Sequence, residues 1–216
     1  MEIARAAAGL FVSRGLKATR AEDIAQAAGI APRTFYRYFA TKEEAVAPLY
    51  AAGAQRWAEA VREAPAALSV PEALEHAVRH TLAPGGGVSA ASWEWVRTLI
   101  RLAMASPALG KVWAEVCHTS EAGLAQILAE RATATEPGAA DPATTAEPVA
   151  ATATTAATPA AAVDVPPHER FTAAVAGAAV RVAVESWAVT DTSPTGPQGP
   201  AELALSNLRA LRGFSW

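Results

Sequence analysis

The sequence predicts an all-α protein, a small three-helix head followed by a larger helical body. Three observations predict it. Apolar residues recur at three- and four-residue spacing along most of the chain. Proline, glycine and capping residues cut these runs into helix-sized pieces. No segment shows the alternating, β-branched pattern of a sheet strand. A chain of 216 residues has room for one small head and one larger domain with its own core.

The head spans residues 1–47. Ile3, Ala7, Leu10 and Phe11 fall at helical spacing, so the first helix is amphipathic and stops near Gly15. Thr19 and Glu22 have capping-box spacing for a second helix that contains Ile24, Ala25 and Ala28. Gly29 ends it, because a left-handed turn residue is cheapest as glycine. Pro32 opens the third helix at a position where its missing N–H costs nothing.

In that third helix Phe35 and Phe39 lie one turn apart on one face. Arg33 and Arg37 fall on the opposite face, with Thr34, Tyr36 and Tyr38 on the flanks. One side docks on a small core; the other offers guanidinium and hydroxyl donors. Phosphates take such donors and guanine edges take a bidentate arginine, so the helix suits a DNA groove. Three short helices with a glycine turn before the last make a helix-turn-helix with a reader helix.

The body spans residues 48–216. A fourth helix is expected from just after Lys42 to about Glu63, with Pro48 near its first turn. Pro71 opens a fifth, which ends before Pro84-Gly85-Gly86-Gly87. A sixth carries Trp93, Val96, Ile100 and Met104 on one side and is interrupted at Ser106-Pro107. The seventh, with Leu109, Trp113, Val116, Leu124, Ile127 and Leu128, runs to about residue 131. Residues 132–167 are almost entirely Ala, Thr, Pro, Val and acid, with no Lys, Arg or aromatic, and read as a mobile insertion. An apolar helix follows from about Pro167 to Val189. After a polar Pro/Gly loop, a last helix carries Leu203, Leu205, Leu208 and Leu211.

The run Ile3, Leu10-Phe11, Gly15, Thr19, Ile24-Ala25, Ala28-Gly29-Ile30, Thr34-Phe35-Tyr36-Arg37-Tyr38-Phe39, Lys42-Glu43 resembles the N-terminal domain of TetR-family transcriptional repressors. The resemblance covers roughly the first fifty residues. It implies an all-helical homodimer that binds a palindromic double-stranded DNA operator and senses a small-molecule effector with its C-terminal domain. Carried onto this chain, the DNA-facing candidates are Thr19, Arg20, Arg33, Thr34, Tyr36, Arg37, Tyr38 and Lys42. Tyr36 and Lys42 would position the backbone, and Arg33 and Arg37 would read bases. Many relatives carry a basic arm before the first helix, whereas Met1 here almost abuts it. Arg20 also stands where relatives often have a small hydroxyl cap.

Charge agrees with this division. Residues 1–47 carry seven Lys/Arg and five acids, a net of +2, in a chain of net −3. A weakly basic head on an acidic body orients a protein on DNA. For the effector, Trp57, Trp93, Val96, Ile100, Met104, Trp113, Cys117 and Phe171 lie on helices able to surround a cavity, which suits a hydrophobic ligand. The same spacing also describes ordinary core. Val175, Ala178, Val182, Leu205, Leu208 and Leu211 are the dimerisation candidates, on two helices that the resemblance pairs with their mates. Capping of the monomer's own core is the alternative.

Other classes find little support. No apolar stretch reaches bilayer length and no secretory pattern opens the chain, so no membrane partner and a bacterial cytoplasmic location are expected. The single Cys117 excludes an internal disulfide. His76 and His80 at i, i+4 have a chelating spacing and Glu115/His118 a carboxylate-bundle spacing, yet neither has a further ligand in sequence. Neither a nucleophile motif nor a P-loop appears, so no enzyme, no metal and no cofactor are expected. Two other readings remain: an effector-independent dimeric DNA-binding regulator, and a helical small-molecule-binding protein with a vestigial head.

Overall fold

The computed structural model describes residues 1–83, 90–135 and 165–212, and among these the regular structure is entirely helical. Nine α-helices follow in order: α1 (Glu2–Arg14), α2 (Ala21–Ala27), α3 (Pro32–Tyr38), α4 (Ala47–Arg62), α5 (Val70–Leu82), α6 (Ala90–Ala105), α7 (Pro107–Thr135), α8 (Pro167–Ala188) and α9 (Pro200–Leu211). Local chemistry accounts for the boundaries. Proline stands in the first turn of α3, α4, α5, α8 and α9, where its absent N–H has no intrahelical partner to lose. Gly15 and Gly29 close α1 and the α2–α3 turn at φ of 84° and 68°, a region that strains residues with a Cβ.

Three boundaries differ from the sequence expectation. The chain makes a 3-10 turn over Glu44–Val46 before α4 starts at Ala47, because Pro48 supplies the helix start. Thr19 does not cap α2: the N-cap is Arg20, whose backbone N–H donates to Asp23 Oδ2 at 2.8 Å. α7 continues to Thr135, four residues past its expected end. Gly85, Gly86 and Gly87 and most of the 132–167 insertion lie outside the described residues.

Two apolar clusters form the core. The first runs from Phe11, Ile24, Phe35 and Val46 in the head, through Tyr50, to Trp93, Ile100, Leu109 and Trp187 in the body. The second joins α4, α5, α7, α8 and α9 through Trp57, Val61, Val78, Leu124, Leu128 and Leu205. Ala173, Ala176, Ala179 and Ala183 on α8 pack with Ala201 and Ala204 of α9 in this cluster, small residues that let two backbones approach. Leu205 and Leu208 therefore fill the monomer's own core, 1% and 7% exposed, and are not available as a dimer face.

Charged side chains fasten the ends. Glu75 on α5, almost fully buried, meets Arg212 at 2.7 Å, Arg79 at 2.8 Å and Arg209 at 3.7 Å, tying α5 to α9. On α6, Arg101 donates to the carbonyls of Ala188 and Thr190 and to Asp191, and Arg97 donates to the carbonyl of Thr192. The carbonyls that close a helix lack partners within it; Arg101 supplies one for Ala188, the last residue of α8, and both arginines hold the loop that follows. Arg131 of α7 does the same for α4, donating to the carbonyls of Val61, Ala64 and Pro65.

Candidate nucleic-acid face and body cavity

α3 presents two chemically different sides. Phe35 is fully buried, edge-on to Tyr36 at 5.5 Å and tilted against Phe39 at 5.6 Å. Arg33, Tyr36, Arg37 and Tyr38 are exposed, and Thr34 is half-buried beside them. Tyr36 donates to Glu22 Oε1 at 3.4 Å, which fixes α3 against α2. The Arg37 guanidinium rests over the Tyr38 ring, 5.1 Å from its centre, and donates to the Tyr38 hydroxyl. Stacking of this kind holds a planar cation without burying it, so Arg37 remains free to swing toward a ligand.

Two residues expected at the DNA hold the head together from within. Thr19 is fully buried, and its hydroxyl donates to Gly15 O at 2.9 Å and Leu10 O at 3.3 Å. It seals the end of α1 and faces away from any groove. The Lys42 ammonium donates to Leu16 O and Thr19 O, both at 2.7 Å, holding the α1–α2 connection. Charge-assisted bonds of this length are strong ones. Replacing Lys42 with alanine is expected to cost roughly 2–3 kcal/mol of stability in urea unfolding. A side chain that only met phosphate would change stability by about 0.5 kcal/mol or less. Arg20 is exposed and pairs with Glu22 at 3.4 Å, close to the reader face.

The body holds a cavity of about 700 Å³ between α1, α4, the end of α5, α6, α7 and α8. That is the size of a drug-sized ligand site. Trp57, Trp93, Val96, Ile100, Trp113 and Cys117 line it. Met104 and Phe171 do not. α6 contributes lining only from Ser92 to Ile100, and Met104 lies a turn further on, 53% exposed. Phe171 is 57% exposed, on the outer stripe of α8 with Val175, Ala178 and Val182, while Gly177, Val180, Arg181 and Val184 face inward.

Sequence reasoning missed Tyr50, Leu99, Val116, Leu124, Arg5, Arg56 and Arg181 as lining residues. The tyrosine and the leucines lay on periodic faces that equally describe core; the arginines gave no signal, since a charged helix residue reads as solvated surface. Tyr50 packs edge-on to Trp113 at 5.1 Å and donates to Leu99 O at 3.0 Å, and burial raises its phenol above the usual range. Trp113 donates to Glu185 Oε1 at 2.7 Å, and Arg181 pairs with Glu185 at 3.2 Å. Glu185 thus fixes both an aromatic wall and the inner cation.

Burial pushes the Cys117 thiol up to about 11, so it is almost wholly protonated near neutrality. Since the thiolate is the nucleophile, alkylation by iodoacetamide is expected to be slow at pH 8 and to rise about tenfold per pH unit up to pH 10. A pH-independent or immediate reaction would contradict the buried setting. Among the described residues no three His, Cys, Asp or Glu come together to hold a metal ion, and His76 and His80 simply stack with centroids 6.4 Å apart. No helix among them is long and apolar enough to cross a membrane.

Residues 3–47 match the family model described as bacterial regulatory proteins, tetR family. The chain is 31% identical over 135 residues to the HTH-type transcriptional regulator TcmR of Streptomyces glaucescens, a stretch covering 60% of this chain and 58% of that protein. It is 49% identical over 45 residues to the HTH-type transcriptional repressor KstR2 of Mycobacterium tuberculosis, 21% of this chain and 22% of that one. Over residues 3–47, then, the head is similar to the tetR family of bacterial regulatory proteins. The chain spans little more than half of TcmR's length and about a fifth of KstR2's. The fold is shared along nearly the whole chain. A Thermus thermophilus FadR, a TetR-family transcriptional repressor solved in complex with lauroyl-CoA, superposes with a TM-score of 0.57 at 21% identity, over 98% of this chain and 92% of that one.

Proposed function

We propose that this chain is a tetR-family transcriptional repressor that binds a pseudo-palindromic DNA site as a homodimer and is released by a small apolar effector. The observation that carries the DNA reading is the exposed Arg33–Tyr36–Arg37–Tyr38 face of α3 opposite a fully buried Phe35. Arg33 and Arg37 read base edges; Arg20, Thr34, Tyr36 and Tyr38 supply phosphate and flank contacts. TcmR is named a transcriptional regulator and KstR2 a transcriptional repressor, and the second name supports repression as the direction of control.

The dimer reading rests on the outer face of α8. Phe171, Val182 and Val189 are 57%, 44% and 58% exposed there, with Val175 and Ala178 half-buried between them. An apolar stripe along a helix of 22 residues suits pairing with a second copy. Leu211 borders the same side through a shallow groove that it shares with Val175. Two copies would set their reader helices about one DNA turn, ~34 Å, apart.

The effector reading rests on the cavity, whose walls are mainly apolar and aromatic. Its lining joins α1 of the head to α4, α6, α7 and α8, so an occupant that prefers one head position shifts the population toward it. The Thermus thermophilus protein was solved with lauroyl-CoA, and a molecule with a comparable long apolar chain is one candidate class here. The test is selection of genomic fragments by the purified protein, followed by footprinting at stated salt. A protected, roughly palindromic site is expected, occupied by a dimer in sedimentation. Weak, sequence-independent binding that vanishes at moderate salt would overturn the reading.

A further inference from the structure

The cavity's charged groups contrast with the rest of the chain. The protein carries a net −3, yet the charged side chains lining the cavity are Arg5, Arg56, Arg181 and a single carboxylate, Glu121. Arg181 is already matched by Glu185. Arg5 and Arg56 are different: among the described residues, neither guanidinium has a hydrogen-bond or ion-pair partner. Elsewhere on α4–α9 every described arginine except Arg170 holds a carboxylate or a backbone carbonyl. Arg56 is therefore unmatched on the cavity side of a body that otherwise pairs its arginines.

Position gives the cavity a direction. Met1, Arg5, Gly53, Arg56, Ser92 and Trp95 are exposed and mark its open side, whereas Tyr50, Trp93 and Ile100 are buried and mark its inner end. Gly53 stands in mid-helix, where glycine is unfavourable, and a Cβ added there would meet nothing within 4 Å. The mouth is left open between two unpaired cations, and the interior is apolar.

We propose that the cavity takes an amphipathic anion, its apolar body inside and a carboxylate, sulfonate or phosphate at the mouth between Arg5 of α1 and Arg56 of α4. Guanidinium forks match such oxyanions bidentately, and the apolar walls take the remainder. This rests on the reading of the cavity as an effector site. It adds that the charged end of the ligand sits where head and body meet, so Arg5 senses it directly.

Two fluorescent probes with one aromatic body test this: 1-anilinonaphthalene-8-sulfonate and the uncharged N-phenyl-1-naphthylamine. Both are titrated into the full chain and into R5Q/R56Q and G53L, with circular dichroism to check folding. The sulfonate is expected to bind at least about tenfold tighter than the neutral probe in the unaltered protein, a factor within reach of charge-assisted hydrogen bonds. R5Q/R56Q is expected to erase that advantage and leave the neutral probe unchanged, with R5Q and R56Q each giving part of the loss. G53L, which projects a side chain into the mouth, is expected to weaken both. Equal affinity of the two probes in the unaltered protein, or an advantage that survives R5Q/R56Q, overturns the anion inference while neutral-probe binding sensitive to G53L keeps the cavity reading. Neutral-probe binding indifferent to G53L, or no binding of either probe, overturns the cavity reading and this inference with it.

Discussion

Replacing Trp187 with alanine is expected to destabilise the protein by about 3–5 kcal/mol, the range for emptying a buried aromatic site. The side chain is fully buried on α8 and packs edge-on to Trp93 at 5.3 Å. The Arg97 guanidinium lies 4.3 Å from its ring centre, and its indole N–H donates to Thr192 O at 3.2 Å. Removal leaves a void among α6 and α8, a nearly buried guanidinium without its aromatic partner, and a loop that loses a donor. A domain's whole stability is about 5–15 kcal/mol, so this one change consumes a large share. Urea unfolding checks it: the midpoint should fall sharply with an unchanged slope. A shift below about 1 kcal/mol would mean that the surroundings collapse to fill the gap.

The second large effect concerns the reader face. Arg37→Ala is expected to weaken operator binding by roughly 5- to 150-fold, corresponding to about 1–3 kcal/mol. Arg33→Ala is expected to behave alike, and the double replacement to leave only salt-sensitive, sequence-independent binding. Both side chains are exposed, so unfolding should move by about 0.5 kcal/mol or less. If Arg37 reads a base, its loss relaxes specificity at one base pair; if it meets phosphate, all sequences weaken together and the salt slope falls by about 1. Footprinting and titration against operator variants separate these. Unchanged affinity in the double variant would remove α3 from the DNA reading.

The head was readable residue by residue because its signals are local. Gly29, Pro32 and the Phe35/Phe39 spacing each specify a turn, a start or a face without help from the rest of the chain. In the body, the starts of α5 and α8 were legible at Pro71 and Pro167 for the same reason. What escaped depended on distant partners. Lys42 reads in the sequence as a DNA-backbone contact, and only the fold brings it to Leu16 O and Thr19 O. Thr19 had capping spacing, yet the geometry turned its hydroxyl toward α1. Leu205 and Leu208 could serve a dimer face or the monomer's core with equal periodicity, and packing against α8 decided for the core. Met104 and Phe171 failed as cavity residues because periodicity names a face but not how far along the helix its neighbours extend.

The unbroken apolar cluster from Phe35 to Trp187 has a thermodynamic consequence. Because Tyr50 and Trp93 belong to the same packed body as Phe11 and Val46, local opening of the head must disturb residues that wall the cavity. Mass action then extends to amides far from any ligand. An occupant at 100 times its dissociation constant adds about 2.7 kcal/mol to every opening that destroys its site. Hydrogen exchange in α2 and α3 would slow along with that of α6 and α7, so a molecule that never touches the reader helix still sets how often that helix comes apart.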